Sequence, residues 1–402
     1  MEKDKLPKKN PSAGSGQNKN VFYVGMLSFF GGISQDVFSP ILPIYLTTVL
    51  GFNKSIVGIA EGIISASVYF FRIIAGVLSD KFKKQKPIIF LGYFLSMVAR
   101  PLLILFTSLA GVVSLRLLDG LGKGLKDTPK DVLIADSSDK SVRGESFGLA
   151  RMLDTLGSVV GPLVLFALLY VFKDSALLYH QLLLFCAIPL IITLLLVFKL
   201  REIPKEDYRK VEVKEAKGKL PVNFYIFIVI VIIFTLGNSS DAFLILRAQN
   251  VGMSLLVIPL VIAMFNLVYA GLSIPLGSLS DRIGRVPMIA IGWGVFSLVY
   301  LGFGLASNVI SIWFLYAFYG MYYAMNEGVS RALLADLVNV DHRGKAFGIY
   351  GMAVGLTTLP ASFFAGFLWD KFGAQVPFFF GAGMSLIALL ALLIFSRKLR
   401  TE

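Results

Sequence analysis

At 402 residues, 56% of them hydrophobic, with a mean hydropathy of +0.75, this chain is too apolar to read as a water-soluble globule. The formal net charge of +13 suggests nucleic acid at first sight, but the basic residues sit in short loops between apolar runs, so no nucleic-acid partner is expected. The single cysteine, Cys186, lies inside an apolar run, which excludes an intrachain disulfide and argues against a metal cluster; His180 and His342 lie far apart in sequence.

Apolar runs of about 20 residues, the length that crosses a hydrocarbon core about 30 Å thick, recur along the chain. Residues 1–19 are polar and lysine-rich and read as a disordered cytoplasmic tail, with no cleavable signal peptide evident. Spans are expected at about Val21–Leu50, Ile56–Asp80 and Pro87–Leu109. A fourth and a fifth fill the stretch from Gly111 past Pro162, and a sixth covers Leu177–Leu200. Residues 201–219 are too polar to cross and separate a bundle at 20–200 from a second at 220–398, before a short cytoplasmic end at 399–402. The second bundle should hold spans near 222–248, 254–280, 287–306, 309–336, 346–369 and 376–396. The expected fold is an all-α integral membrane protein of twelve transmembrane helices in two six-helix bundles.

Lysine and arginine concentrate in the tail, in the loops near 81–86, 140–143, 282–285 and 343–345, in the 201–219 stretch and at the C-terminus. The opposite loops hold few, chiefly Lys54, Lys173, Arg247 and Lys371. This asymmetry places both termini and the linker in the cytoplasm, in a multi-pass protein of the cytoplasmic (inner) membrane. The halves also repeat. GVLSDKFKK at 76–84 is echoed by GSLSDRIGR at 277–285, LIAD at 133–136 by LLAD at 333–336, and RGESFG at 143–148 by RGKAFG at 343–348. SQD at 34–36 and SSD at 239–241 form a looser pair. Two-fold internal repeats are a signature of transporters.

Charge appears where a bilayer span should not hold it. The fourth span carries Arg116, Asp119, Lys123, Lys126, Asp127 and Lys130, and the fifth Arg151 and Asp154. An ionisable group at that depth costs about 2.5–3.5 kcal/mol or more and is normally turned to a protein interior or a watery cavity. Arg116, Gly120, Lys123, Asp127 and Lys130 share one helix face, and Asp119 reaches Lys123 one turn on. Three readings stand: a cationic cavity wall for an anionic solute, an internal ion-pair network joined by Arg151 and Asp154, or simple solvation at the cytoplasmic end for Lys126, Lys130 and Asp131. Asp36, among Gly31, Gly32, Ser34, Gln35 and Ser39, suits a proton carrier or a fixed partner for Arg72 or Arg100, and Asp154 is the competing carrier. In the second half span ten carries Tyr319, Tyr322, Tyr323, Asn326 and Glu327, which suggest an amphipathic substrate wall, with Asp241 and Asn266 as further polar residues of the pathway, although an aromatic stripe often only packs, and Glu327 and Arg331 are spaced to pair with each other. The glycines at 120, 122 and 124 read as helix contacts, since no strand precedes them and no GK[ST] follows.

These residues resemble the major facilitator superfamily along essentially the whole chain after the tail. Its loop signature is matched by Gly277, Asp281, Arg282, Gly284 and Arg285, and by Gly76, Asp80, Lys81 and Lys84 with Lys83 in the glycine position. Its fourth-span pattern is matched by Arg116, Gly120 and Gly122, and its G-x-x-x-G-P element by Gly157, Gly161 and Pro162. That element is associated with drug and metabolite proton antiporters, but the glycine pair usually found downstream is Leu165 and Phe166 here. The resemblance implies that Asp80 and Asp281 latch the halves at the cytoplasmic ends of spans eleven and five, where helix dipoles present positive ends.

The expected function is alternating-access transport of a small organic solute, with proton-coupled export favoured and the proton gradient as energy source. The alternatives are proton-coupled uptake of an organic anion or metal chelate, an uncoupled facilitator or lipid flippase, and a receptor that has kept the fold. No enzyme is expected, since there is no Cys/His nucleophile pair and no H-E-x-x-H motif, and no cofactor is expected, since no ATP-binding pattern is visible. The expected form is a monomer in the lipid bilayer.

Overall fold

Lipid offers no partner to backbone N–H and C=O groups, so each crossing closes its own hydrogen-bond ladder as a helix. The computed structural model describes residues 11–82, 84–138, 143–173, 175–202, 220–339 and 342–399, and no strand occurs among them. The first half comprises α1 (Pro11–Ile44, continued by a π-helical turn at Tyr45–Val49), α2 (Lys54–Phe82), α3 (Lys86–Leu102), α4 (Leu109–Asp136), α5 (Arg143–Phe172), α6 (Leu178–Phe185) and α7 (Ala187–Val197). The second comprises α8 (Val222–Gly237), α9 (Ala242–Asn250), α10 (Ile258–Ile283), α11 (Arg285–Leu305), α12 (Val309–Asp336), α13 (Arg343–Phe372), α14 (Val376–Ile394) and a terminal turn, α15 (Ser396–Leu399).

These segments make twelve passes, because α6 and α7 form one crossing broken at Cys186 and α8 and α9 another broken at 238–241. Neither break was expected. Among the described residues nine passes are long and apolar enough to cross a membrane by themselves; α3, α4 and α12 are not. The repeat is structural. Helices α4 and α12 start and stop at positions 200 residues apart, and so do α5 and α13. Helix α1 begins at Pro11, inside the stretch expected to be a disordered tail. Residues 1–10 and most of the polar 201–219 stretch lie outside the described residues.

Glycine sets how closely the first-half helices approach. A Cβ at Gly122 would sit 2.8 Å from Ser96 Oγ on α3, and one at Gly120 would sit 2.6 Å from Ser67 Cβ on α2. On α5, Gly157 and Gly161 lie against Phe29 and Ile33 of α1, with Pro162 inside the helix. The second half also uses glycine, Gly320 against Phe265 and Gly237 against Gly381, and adds stacked rings: Phe234 on Trp293 at 4.6 Å and Phe296 on Tyr300 at 4.0 Å between centroids. Gly284, with φ of +96°, makes the tight turn from α10 into α11.

The halves meet on the face away from the basic loops. There α2 and α13 touch backbone to backbone, Gly62 against Leu359 and Gly58 against the Ser362 carbonyl. Asp370, at the end of α13, accepts hydrogen bonds from Lys54 N at 2.9 Å, Ser55 N at 2.8 Å and Ser55 Oγ at 2.6 Å. A carboxylate from one half thus caps the first turn of a helix in the other, where the helix dipole favours negative charge. Tyr69 of α2 still packs against Gly351 and Gly355 of α13, and toward the basic face a cavity opens between the two helices, lined by Arg72 and Ile73 on one side and Phe347 and Gly348 on the other.

Candidate functional site

The halves enclose a polar cavity that widens toward the basic face. Its mouth, about 690 Å³, is walled by Phe147 and Arg151 of α5, Tyr269, Gly277 and Asp281 of α10, and Glu327 and Arg331 of α12. A compartment of about 430 Å³ shares Arg151 and Arg331 with the mouth and adds Arg72, Asp127, Lys130 and Asp154. Beyond it lies a compartment of about 320 Å³ inside the first half, lined by Asp36, Tyr93, Lys123, Lys126, Lys130, Asp154 and Ser158. At the innermost point Asp36 also borders a small pocket of about 110 Å³ shared with Asp241, Asn266 and Tyr319 of the second half.

The charges of α4 divide by depth. Toward the far face, Arg116 and Asp119 are buried and belong to an ion cluster. Asp119 lies 3.4 Å from Arg100 Nε, 3.6 Å from Arg116 Nη1 and 3.4 Å from Lys123 Nζ. Arg100 also donates to Ser34 Oγ at 2.5 Å and Gln35 Oε1 at 2.9 Å, and Arg116 donates to Glu61 Oε1 at 2.7 Å. Glu61 Oε2 accepts from Ser240 Oγ at 3.2 Å, so the cluster reaches the α8–α9 break of the other half. Toward the basic face, Asp127 pairs with Arg72 at 2.5 Å and with Lys130 at 3.7 Å. Lys130 also donates to Ser28 Oγ at 3.1 Å.

Lys126 is the exception. It is 9% exposed, its Nζ stands 4.2 Å from the centre of the Tyr93 ring, and among the described residues no carboxylate lies within ion-pair distance. A cation over an aromatic face is attracted by the ring quadrupole, which holds the ammonium while leaving its charge uncompensated. Lys126 and Lys130 are therefore not loosely solvated residues at the helix end; both wall the inner cavity. Asp131 is exposed and borders the mouth.

Several expectations are corrected by side-chain direction. Asp36 is not the fixed partner of Arg72 or Arg100, whose ion pairs go to Asp127 and Asp119. Arg151 and Asp154 pair with each other at 3.3 Å and do not join the Asp119 cluster. Asn326 faces the bundle interior, where its Oδ1 accepts from Trp293 Nε1 at 3.0 Å, and Tyr322 is buried among aromatic rings, so neither forms the cavity wall. Tyr319 keeps its expected place in the wall, and Tyr269 of α10 joins it. Tyr269 donates to Glu327 Oε2 and Tyr319 to Asp241 Oδ1, both at 2.6 Å. Glu327 also pairs with Arg331 at 3.0 Å. Asn266 donates to the Ser158 carbonyl at 2.6 Å across the two halves. Arg247 is no loop cation; it is buried and donates to the Phe303, Gly304 and Ala306 carbonyls at the end of α11.

In the loop signature, Asp281 pairs with Arg285, which lies 3.6 Å from Asp336. Asp281 and Arg151 of α5 stand on the wall of the same open mouth. The side chains of Asp80 and Lys81 lie outside the described residues, whereas a Cβ added at Gly76 would meet Thr128 only at ordinary contact distance, 3.9 Å. Lys84 is exposed, as is Arg282.

Two six-pass repeats around a polar cavity that opens on one face define a membrane transporter. The chain belongs to the Major Facilitator Superfamily, whose sequence model matches residues 24–245 and 226–402. It is 35% identical over 382 residues to an uncharacterized MFS-type transporter of Methanocaldococcus jannaschii, covering 94% of each chain. A shorter stretch of 108 residues, 27% of each chain, is 34% identical to Multidrug resistance protein 2 of Bacillus subtilis. Among solved structures it is similar in fold to the nucleoside transporter NupG, with a TM-score of 0.75 at 14% identity over 94% of this chain and 99% of that one. It is also similar to a D-xylose-proton symporter, with a TM-score of 0.78 at 17% identity over 95% of this chain and 100% of that one.

Proposed function

We propose that the chain exports a small organic anion in exchange for protons, with the anion held by Lys123, Lys126 and Lys130 and the proton carried by Asp36 or Asp154. The observation that carries this reading is Lys126, a buried cation with no carboxylate partner among the described residues, facing an internal cavity beside two more lysines. The wider balance supports it. With the Arg151–Asp154 pair set aside, Arg72, Arg100, Arg116, Lys123, Lys126 and Lys130 outnumber Asp36, Glu61, Asp119 and Asp127. A charge without a counter-ion in a low-dielectric wall is strongly unfavourable and is relieved either by loss of its proton or by arrival of an opposite charge, and a carboxylate or phosphate on the solute supplies the second. Export is favoured by the Gly157–Pro162 element and by the stretch of similarity to a multidrug resistance protein.

The test uses sealed vesicles containing the purified protein and a pH-sensitive dye. Adding organic acids or phosphorylated metabolites on one side should move protons the opposite way, and Lys126→Ala should lower the rate at least tenfold while folded protein stays abundant. Proton movement in the same direction as the anion would establish uptake, and anion flux without any proton movement would establish a facilitator. Lipophilic cations driving the flux equally in wild type and Lys126→Ala would overturn the anion reading.

A further inference from the structure

The innermost pocket is chemically unlike the lysine-walled cavity beneath it. Its walls are Asp36, Ser39 and Pro40 of α1, Asp241, Leu244 and Ile245 at the start of α9, Ile262, Phe265 and Asn266 of α10, and Tyr316 and Tyr319 of α12, with no lysine or arginine among them. Two carboxylates, one from each half, border a space of about 110 Å³. Neither forms an ion pair among the described residues, and Asp241 is exposed to the cavity. Asp241 receives a hydroxyl from Tyr319 at 2.6 Å and a longer one from Tyr323 at 3.4 Å.

A second observation points to a guest. Tyr316 is only 5% exposed, borders the pocket, and has a buried hydroxyl with no hydrogen-bond partner among the described residues. A buried hydroxyl left unmatched costs on the order of 1–3 kcal/mol, which a bound group offering a contact there relieves. Asn266 commits its Nδ2 to the Ser158 carbonyl, which leaves its Oδ1 as an acceptor. The pocket therefore gathers carboxylate, amide and hydroxyl oxygens, the donor set of hard cations.

We infer that the pocket formed by Asp36, Asp241, Asn266 and Tyr316 binds a small monovalent cation, either an alkali ion or the primary ammonium group of a solute. The two carboxylates set the charge of the guest, and a pocket of about 110 Å³ has room for a partly hydrated ion or an alkylammonium head. Because α1 and α9 belong to different halves, a bound cation bridges them and is bound most tightly when the far face is closed. The inference meets the export reading at one residue, Asp36, and its test is a binding measurement that stands whether or not anions are transported.

The experiment is thermal unfolding of the detergent-purified protein in sodium, lithium, potassium, ammonium or ethylammonium chloride, with N-methylglucamine chloride at equal ionic strength as the reference. A ligand bound only by the folded state raises the midpoint, by about 2–4 °C for a site well above half saturation. The shift should fall by half or more in Tyr316→Phe and vanish in the Asp36→Asn/Asp241→Asn double variant. A shift confined to the alkali salts assigns an ion site, and one confined to the amines assigns the site to a solute ammonium. If no salt exceeds N-methylglucamine in the wild type, or if the double variant keeps the full shift, the inference is wrong. Tyr316→Phe and the wild-type series decide the matter even where the double variant does not fold.

Discussion

Replacing Asp119 by alanine is expected to lower the stability of the folded protein by about 3–5 kcal/mol, the cost of leaving buried charge uncompensated. Asp119 is 1% exposed and stands within 3.6 Å of Arg100, Arg116 and Lys123, of which the two arginines are themselves buried. Its contacts are 3.4–3.6 Å long, so the attraction is chiefly coulombic. Asp119→Asn, which keeps the shape and removes the charge, should lose nearly as much. Denaturant unfolding in detergent, followed by tryptophan fluorescence, measures both. A wild-type midpoint in Asp119→Asn would mean that the cations are neutralised from elsewhere and that the cluster is not what holds α3 and α4 together.

That cluster also shows where sequence reading runs out. Most of the passes were legible because hydropathy is local, and the repeat because similar motifs recur at offsets of 200 or 201 residues; helices α4, α5, α12 and α13 keep the 200-residue offset at both ends. The charged stripe of α4 was legible as a stripe, but its partners depend on how α2 and α3 are rotated against it. Nothing in the spacing of Arg72 and Arg100 told which would take Asp127 and which Asp119. Side-chain direction misled in the same way on α12, where Asn326 turns to Trp293 while Tyr319 turns to Asp241. Lys126 was visible, but that it has no carboxylate partner among the described residues was not, since its placement depends on the ring of Tyr93 from α3. The α8–α9 break had one signal, the run Gly237-Asn238-Ser239-Ser240, whose composition favours a turn.

Gly62→Val is expected to prevent closure of the far face. A Cβ there would lie 2.7 Å from Leu359 Cα and 3.0 Å from its carbonyl oxygen, which are backbone atoms that yield only if α13 moves off α2. Overpacking of this kind costs about 1–3 kcal/mol, a shift of roughly 5- to 150-fold toward the state open on the far face, where the contact is absent. Transport should fall to background because the cycle requires both closures. The single native cysteine, Cys186, is fully buried, so a Ser39→Cys reporter in the innermost pocket can be labelled from the far face without interference. Labelling should accelerate at least tenfold in Gly62→Val and stay unchanged in Gly148→Ala, where an added Cβ meets nothing within 4 Å. Wild-type labelling and transport in Gly62→Val would remove α2–α13 contact from the closing mechanism.

The hydrogen bond from Ser240 to Glu61 has a consequence for how the protein waits. A bond to a charged acceptor contributes about 1.5–3 kcal/mol, and this one joins the two halves on the side that is shut. Removing it in Ser240→Ala is expected to shift the equilibrium roughly ten- to a hundredfold away from standing open on the basic side. Because Glu61 is also held by Arg116, any event that redistributes charge around Asp119 alters that resting bias, and the bias acts back on the cluster with the same free energy. The electrostatic loading of the first half is thus expected to weigh, like ballast, on which side of the membrane the empty carrier faces.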